Sequence, residues 1–363
     1  MSLDTLFSPF ALKSLTLKNR VVMAPMTREF SPGGVPTDDV AAYYARRAEG
    51  GVGLLLTEGT VIERPASKNE ANIPDFFGDA LPAWGKVVEA VHAKGGLIAP
   101  QIWHTGASAS RGEYNPQPKQ SPSGIALDGS EKWAPMSDAD VADSIAAFAR
   151  AAGDAKKLGF DAVELHGAHG YLIDEFFWDR TNKRSDKWGG ETIGERTKFA
   201  AEVIKAVRAE VGADYPLIIR ISQFKGGVYD AKVTHTQQEL EDWIRPLLDA
   251  GVDVIHASQR RFWEPEFEGS DLNFAGWVKK LTGATVITVG SVGLADDFIN
   301  FFGGAEASPQ GIEELLRRLD RGDFDLVGVG RALLADPQWL NKIRNGRLED
   351  VKAFDRSALA TLA

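Results

Sequence analysis

Short apolar runs alternate along the chain with longer stretches in which apolar and polar positions recur at helical spacing. The runs are Val21–Ala24, Gly53–Leu56, Leu97–Gln101, Ala162–Leu165, Leu217–Ile221, Val252–Ile255, Val286–Val289 and Leu326–Val329. Several are β-branched and nearly continuous, as parallel strands buried on both faces require. Between them, Val141, Ile145, Phe148 and Ala152, and later Phe199, Val203, Val207 and Val211, form stripes on single helical faces. Ser137 with Asp140, Thr192 with Glu195, and Thr236 with Glu239 have capping-box spacing, in which hydroxyl and carboxylate satisfy amides left open by the first turn. Gly95, Gly159, Gly212 and Gly251 follow the predicted helix ends, where left-handed backbone favours glycine. Pro246 is expected to kink the helix it interrupts.

Eight strand–helix units in succession predict an α/β chain folded as a (β/α)8 TIM barrel, with a doubly wound open sheet as the alternative. No repeat, low-complexity tract or Pro/Ser-rich linker divides the sequence, so residues 1–363 read as one domain. Residues 104–136, after the third strand, are too many for a simple turn. With Pro116, Pro118, Pro122 and Pro135 among them, they read as an inserted lid. In such a barrel the chemistry gathers on loops that follow the strands.

Composition removes whole classes of function. Hydrophobic residues at 44% and charged residues at 25% are ordinary globular usage, which sets aside disordered and fibrous chains. A net charge of −10 disfavours nucleic acid and anionic membrane surfaces as partners. The absence of cysteine excludes disulfides, thiolate-held iron–sulfur clusters, cysteine zinc sites and a cysteine nucleophile. Residues 1–20 do not have the pattern of a secretory signal, and no uncharged apolar run approaches the ~18 residues that span a bilayer. A soluble, cytoplasmic protein is the expectation. A homo-oligomer is compatible with the sequence, although the tail Phe354–Ala363 carries no interface pattern.

The strand ends hold the candidate chemistry. The fourth strand exits into His166-Gly-Ala-His169-Gly-Tyr171. Read blandly, this is a metal pair or a hydrogen-bond cluster, but no further ligand stands at a recognisable spacing, so no metal is expected. Read as catalysis, the two imidazoles donate hydrogen bonds to a carbonyl oxygen. Tyr171 then supplies a proton, since a phenol of ordinary pKa of about 10 is protonated at neutral pH. The seventh and eighth strands exit into Gly290-Ser291-Val292-Gly293 and Gly328-Val329-Gly330-Arg331. Glycines that admit backbone amides, together with an arginine fork, suit a phosphate. Neither loop completes a dinucleotide fingerprint, because Leu333 stands at the third glycine position. Arg220, set among Ile218, Ile219 and Ile221, requires a partner. That partner is either a carboxylate such as Glu164 or an electron-rich heteroaromatic ligand. Gln101 and Thr27, each at a strand end, could help it read the edge of a planar ring. The Arg260–Arg261 pair reads as a local salt-bridge or anion feature.

These motifs, in this order, resemble the old yellow enzyme family of FMN-dependent ene-reductases. The resemblance runs from Leu6-Phe7-Ser8-Pro9-Phe10 and Asn19–Arg28 through Pro100-Gln101-Ile102-Trp103-His104 and His166–Ile173. It continues through Asn182-Lys183-Arg184 and Trp188-Gly189-Gly190 to Gly328–Arg331. It implies that Pro25 and Met26 cradle FMN through backbone, that Thr27 bonds the flavin carbonyl beside N5, and that Gly59 lets the ring approach. It further implies Gln101 at the pyrimidine edge, Arg220 near N1 and O2, and Ser291, Gly330 and Arg331 on the phosphate. His166 and His169 would bind the substrate carbonyl, Trp103 would line the pocket, and Tyr171 would donate the proton. The implied activity is NAD(P)H-driven, ping-pong reduction of a small electrophilic alkene. Thr27 matches the threonine-bearing branch of the family. The bulky Phe176–Thr181 segment and the Arg260–Glu268 loop depart from it. Two other readings remain: a flavin-free phosphate-binding lyase or isomerase, and a flavin-binding sensor without turnover.

Overall fold

A computed structural model describes residues 2–110, 113–295, 297 and 307–363. Each apolar run becomes a strand: β3 (Val21–Met23), β4 (Leu54–Val61), β5 (Ile98–Trp103), β6 (Val163–His169), β7 (Leu217–Lys225), β8 (Val254–Ser258), β9 (Thr285–Val289) and β10 (Leu326–Val329). All pair in parallel, and β10 closes on β3 to complete the barrel. The open-sheet alternative is therefore excluded.

Alternation along the strands explains the apolar pattern. Val22, Leu54, Leu56, Ala99, Ala162, Ile218, Val254, Ile287 and Leu326 share one cluster inside the barrel. Their neighbours Val21, Leu55, Ile98, Val163, Leu165, Ile219, Ile255 and Val286 join the larger cluster that the surrounding helices cover. A short hairpin, β1 (Phe10–Leu12) and β2 (Leu15–Leu17), adds Leu15 and Leu17 to the inner cluster.

All three capping boxes form, each a feature commonly worth ~1 kcal/mol. They open helices Asp138–Lys157, Ile193–Arg196 and Gln237–Asp249. The Thr192 box serves only one turn. A new helix starts at Lys198, after Thr197 has turned its hydroxyl back to the Ile193 carbonyl at 2.8 Å. Helix Gln237–Asp249 continues through Pro246 for three more residues. Gly95, Gly159, Gly212 and Gly251 all have positive φ.

Three strands outrun their apolar cores. β4, β6 and β7 continue to Val61, His169 and Lys225, with register shifts between Leu56 and Gly59 and between Gly167 and His169. Such irregularities re-aim side chains at barrel rims. In the 104–136 segment the described residues form no helix, and a single bridge links Ile125 to Glu131. Gln120 ties it to His104 (3.1 Å) and Asp140 (3.0 Å), and Arg184 holds the carbonyls of Pro122 (2.9 Å) and Met136 (2.5 Å). Its Leu127 side chain fills the space that a Cβ on Gly170 would need. Among the described residues, no helix is long and apolar enough to cross a membrane.

Candidate active site

Four rings meet where β5 and β6 leave the barrel. The Tyr171 ring stands edge-on to Trp103 at 4.6 Å and to His166 at 4.9 Å. His166 stacks on Trp103 at 5.6 Å and lies perpendicular to His169 at 5.3 Å. The register shift after Gly167 gives His169 a left-handed φ of 65° and turns its ring toward β8, where Nε2 meets the Ser258 hydroxyl at 2.9 Å. Burial, reinforced by the Arg220 charge, holds both imidazoles well below their usual pKa. Both are therefore neutral at pH 7, and each keeps one N–H. The buried Nδ1 of His166 has no partner, so a group remains there for a ligand to satisfy.

Arg220 points into the barrel beside them, 8% exposed. The Glu164 carboxylate does not pair with it. Instead Glu164 accepts from Gln101 Nε2 at 2.7 Å and meets His256 Nδ1 at 2.6 Å. Among the described residues Arg220 reaches only the Ser258 hydroxyl at 3.2 Å and, at 3.5 Å, the Pro25 carbonyl, and its buried Nε meets no partner. Of the two partners open to it in the sequence, the carboxylate is thus already engaged. Gln101 is engaged by the same carboxylate, which fixes its carboxamide with the oxygen left over.

A cavity of about 340 Å³ opens next to this group, lined by Pro25, Met26, His169, Tyr171, Arg220, Ser291, Gly330 and Arg331. Eight of the residues marked in the sequence therefore share one wall. At its far end Arg331 approaches the Ser291 hydroxyl at 3.4 Å, and Arg260, also in the lining, is held by the buried Asp297 at 2.8 Å. Arg261 takes Glu264 at 2.7 Å. Both members of the Arg260–Arg261 pair are thus salt-bridged, as expected. Thr27 is exposed at the end of the β3 loop. His166 and Trp103 are not in the lining but meet its Tyr171 ring, and Gln101 and Gly59 are not in the lining either. A Cβ on Gly59 would stand 2.3 Å from the Trp103 ring, so the indole is what requires glycine there. Among the described residues, no three His, Asp or Glu side chains gather as a metal would need.

Among the described residues three guanidiniums line this cavity, and that of Arg220 is buried without a carboxylate contact. That charge suits a ligand with an electron-rich ring at the Arg220 end and a phosphate at the Arg331 end. The donor set fits FMN.

Residues 5–350 match the family described as NADH:flavin oxidoreductase / NADH oxidase. The chain belongs to that family. It is 33% identical to the NADH oxidase of Thermoanaerobacter brockii over 96% of its own length and 52% of that relative. The chain thus spans about half the length of the first curated relatives it matches. It is 31% identical to 12-oxophytodienoate reductase 7 of Oryza sativa subsp. japonica, covering 93% of this chain and 87% of the relative. Morphinone reductase solved in complex with tetrahydroNAD superposes with a TM-score of 0.81 at 28% identity, covering 98% and 93% of the two chains. The resemblance to the old yellow enzyme family stands. The flavin-free lyase reading falls away.

Ser222, His256 and Ser258 are site residues that sequence reasoning missed. Each lies two positions from another inward-facing residue: Ser222 after Arg220, and His256 between Val254 and Ser258. Counting every second position outward from the apolar core would have found all three.

Proposed function

We propose that this family member reduces the activated C=C bond of small α,β-unsaturated carbonyl compounds, with FMN as cofactor and NAD(P)H as reductant. The observation that carries the reading is the convergence of His166, His169 and Tyr171, two neutral donors and a phenol, beside a cavity edged by Arg220. The oxophytodienoate and morphinone reductases among its relatives are consistent with it. FMN, when bound, supplies hydride transfer from NAD(P)H to the alkene.

Pro25, Met26, Thr27, Gly59 and Gln101 would hold the flavin ring, with Arg220 balancing its negative charge. Ser291, Gly330 and Arg331 would hold the phosphate. His166 and His169 would donate to the substrate carbonyl oxygen as charge builds there, and removing one such donor commonly costs about 10²–10³ in rate. Trp103 would pack against the substrate. Tyr171 would deliver a proton to the α-carbon, a contribution of ~10²–10⁴ for a positioned general acid. Residues 104–136 would act as the lid that excludes water, with Leu127 packed over Gly170.

Anaerobic spectroscopy on the purified protein tests the reading. The protein should be yellow, bleach with NAD(P)H and recover its colour on addition of 2-cyclohexenone. Bleaching without recovery for any of a panel of enones, nitroalkenes and nitrate esters would reduce it to a flavin-binding sensor. A colourless protein that takes up no FMN would overturn it altogether.

A further inference from the structure

We infer that the buried Asp174–Lys225 ion pair is a positioning device for the catalytic turn, an inference that rests on the function proposed above for His169 and Tyr171. Two successive residues of that turn, His169 (φ 65°) and Gly170 (φ 82°), are left-handed. For a histidine this conformation is strained and persists only where its surroundings impose it. The surroundings here can be traced bond by bond. The Gly170 amide donates to Asp174 Oδ2 at 2.6 Å. The other carboxylate oxygen of Asp174 accepts from Lys225 Nζ at 2.7 Å, and both side chains are fully buried. Lys225 lies opposite His169 across the β6–β7 pairing, and Gly226 N–H donates to the His169 carbonyl at 2.9 Å. Lys225 Nζ also donates to the Ser222 carbonyl at 3.3 Å, while the Ser222 hydroxyl accepts from His169 N–H at 2.9 Å.

Asp174 therefore clamps the turn from one side and is itself bolted to β7 by the lysine. The turn can rotate only by losing its bond to Asp174 or by breaking the buried pair that fixes Asp174. Breaking such a pair by removing one partner is strongly unfavourable because it strands a charge. The two ends of the turn are the residues that touch substrate. His169 keeps its bond to Ser258, and Tyr171 begins helix Leu172–Phe177 with its ring against His166. Neither Asp174 nor Lys225 lines the cavity beside them, so they act through the turn and not on the substrate.

Lys225→Met tests this, with Lys225→Arg as the conservative variant that retains a cation for Asp174. The expected result for Lys225→Met is full FMN content and an unchanged rate of flavin bleaching by NAD(P)H, with kcat for enone reduction roughly 10–100-fold lower, the usual scale for a misplaced catalytic group. The solvent deuterium isotope effect on the alkene step should rise as proton delivery from Tyr171 becomes slower, and Lys225→Arg should recover most of the loss. If Lys225→Met does not fold, Asp174→Asn decides in its place, because an amide offers only one oxygen to Gly170 and Lys225. The same fall in kcat and rise in isotope effect are expected, where a purely structural pair would lower only the melting temperature. A folded, flavin-loaded Lys225→Met or Asp174→Asn enzyme that reduces enones within twofold of wild type, with the same isotope effect, would overturn the inference. Failure of the wild type itself to reduce any enone would instead sink the proposed function.

Discussion

Glu164 and Arg220 face the same barrel interior from adjacent strands, yet the carboxylate is committed to Gln101 and His256, and among the described residues the guanidinium has no acidic contact. A buried cation so placed suits the negative charge of the ligand proposed above. Burial lowers its pKa, and Glu164 only partly opposes that shift. Arg220→Met should therefore slow flavin bleaching by NAD(P)H about 10–100-fold, the scale of a lost charge-assisted hydrogen bond. Glu164→Gln should leave bleaching nearly intact but cost ~1–3 kcal/mol of stability, since one amide oxygen cannot serve both Gln101 and His256. Stopped-flow absorbance and chemical denaturation measure the two effects separately. Equal loss of bleaching in both variants would mean that Arg220 has no role beyond the network.

Tyr171→Phe should spare FMN binding and flavin bleaching while slowing enone reduction by ~10²–10⁴. His166→Ala or His169→Ala should slow the same step by ~10²–10³ each. Because burial and neighbouring cations keep both imidazoles neutral, neither should produce an inflection in the wild-type rate between about pH 6 and 8. Rapid mixing of pre-reduced enzyme with enone isolates the step. A Tyr171→Phe enzyme in which bleaching falls as far as enone reduction would remove the phenol from the acid role.

The barrel was legible because its strands are buried on both faces, so each announced itself as an apolar run and eight runs predict closure. His166, His169 and Tyr171 were legible for a related reason, since polar rings directly after such a run have nowhere to go but the rim. What could not be read was direction within the polar extensions of the strands. Arg220 and Glu164 looked like natural partners by charge, but whether they pair depends on His256, one strand further on, which only its alternation with Val254 and Ser258 marks and whose partner that alternation does not name. Gly59 shows the same limit. Its small size signals a close approach, and only the packed structure identifies Trp103 as the group that approaches. The early end of the helix after Thr192 was likewise hidden, because Thr197 makes a tertiary-neutral local bond that interrupts an otherwise continuous apolar stripe.

Gly59→Ala should displace the Trp103 indole, because the new methyl would stand 2.3 Å from Cε3 and 2.9 Å from Cδ2 of that ring. Overpacking of this kind costs about 1–3 kcal/mol. Since Trp103 supports both His166 and Tyr171, enone reduction should fall further than stability alone explains. Trp103→Leu should be milder in the Gly59→Ala background than in wild type, giving a non-additive cycle. Additive melting temperatures across the four proteins would show that the glycine answers to something other than the indole.

Acid sensitivity should trace in large part to His104. Its Nδ1 accepts from Gly106 N–H at 3.0 Å, so the proton of the neutral ring sits on Nε2 and is donated to Gln120 Oε1 at 3.1 Å. Protonating Nδ1 would set two donors against each other in a buried site. Burial accordingly drives the pKa down to about 3, with Gln120 opposing and the charges of Arg64 and Lys119 adding to the shift. The unfolded chain takes up this proton below about pH 6.5, whereas the folded chain resists until about pH 3. The stabilising contribution is therefore complete above pH 6.5 and is lost as pH falls toward 3. Between pH 7.5 and 4.5 the wild type should lose about 3 kcal/mol more than His104→Asn, which keeps an acceptor near Gly106 but cannot take up the proton. Urea denaturation of both proteins at the two pH values, with FMN in excess, gives the difference directly. Parallel losses in the two proteins would assign the acid sensitivity to other buried groups.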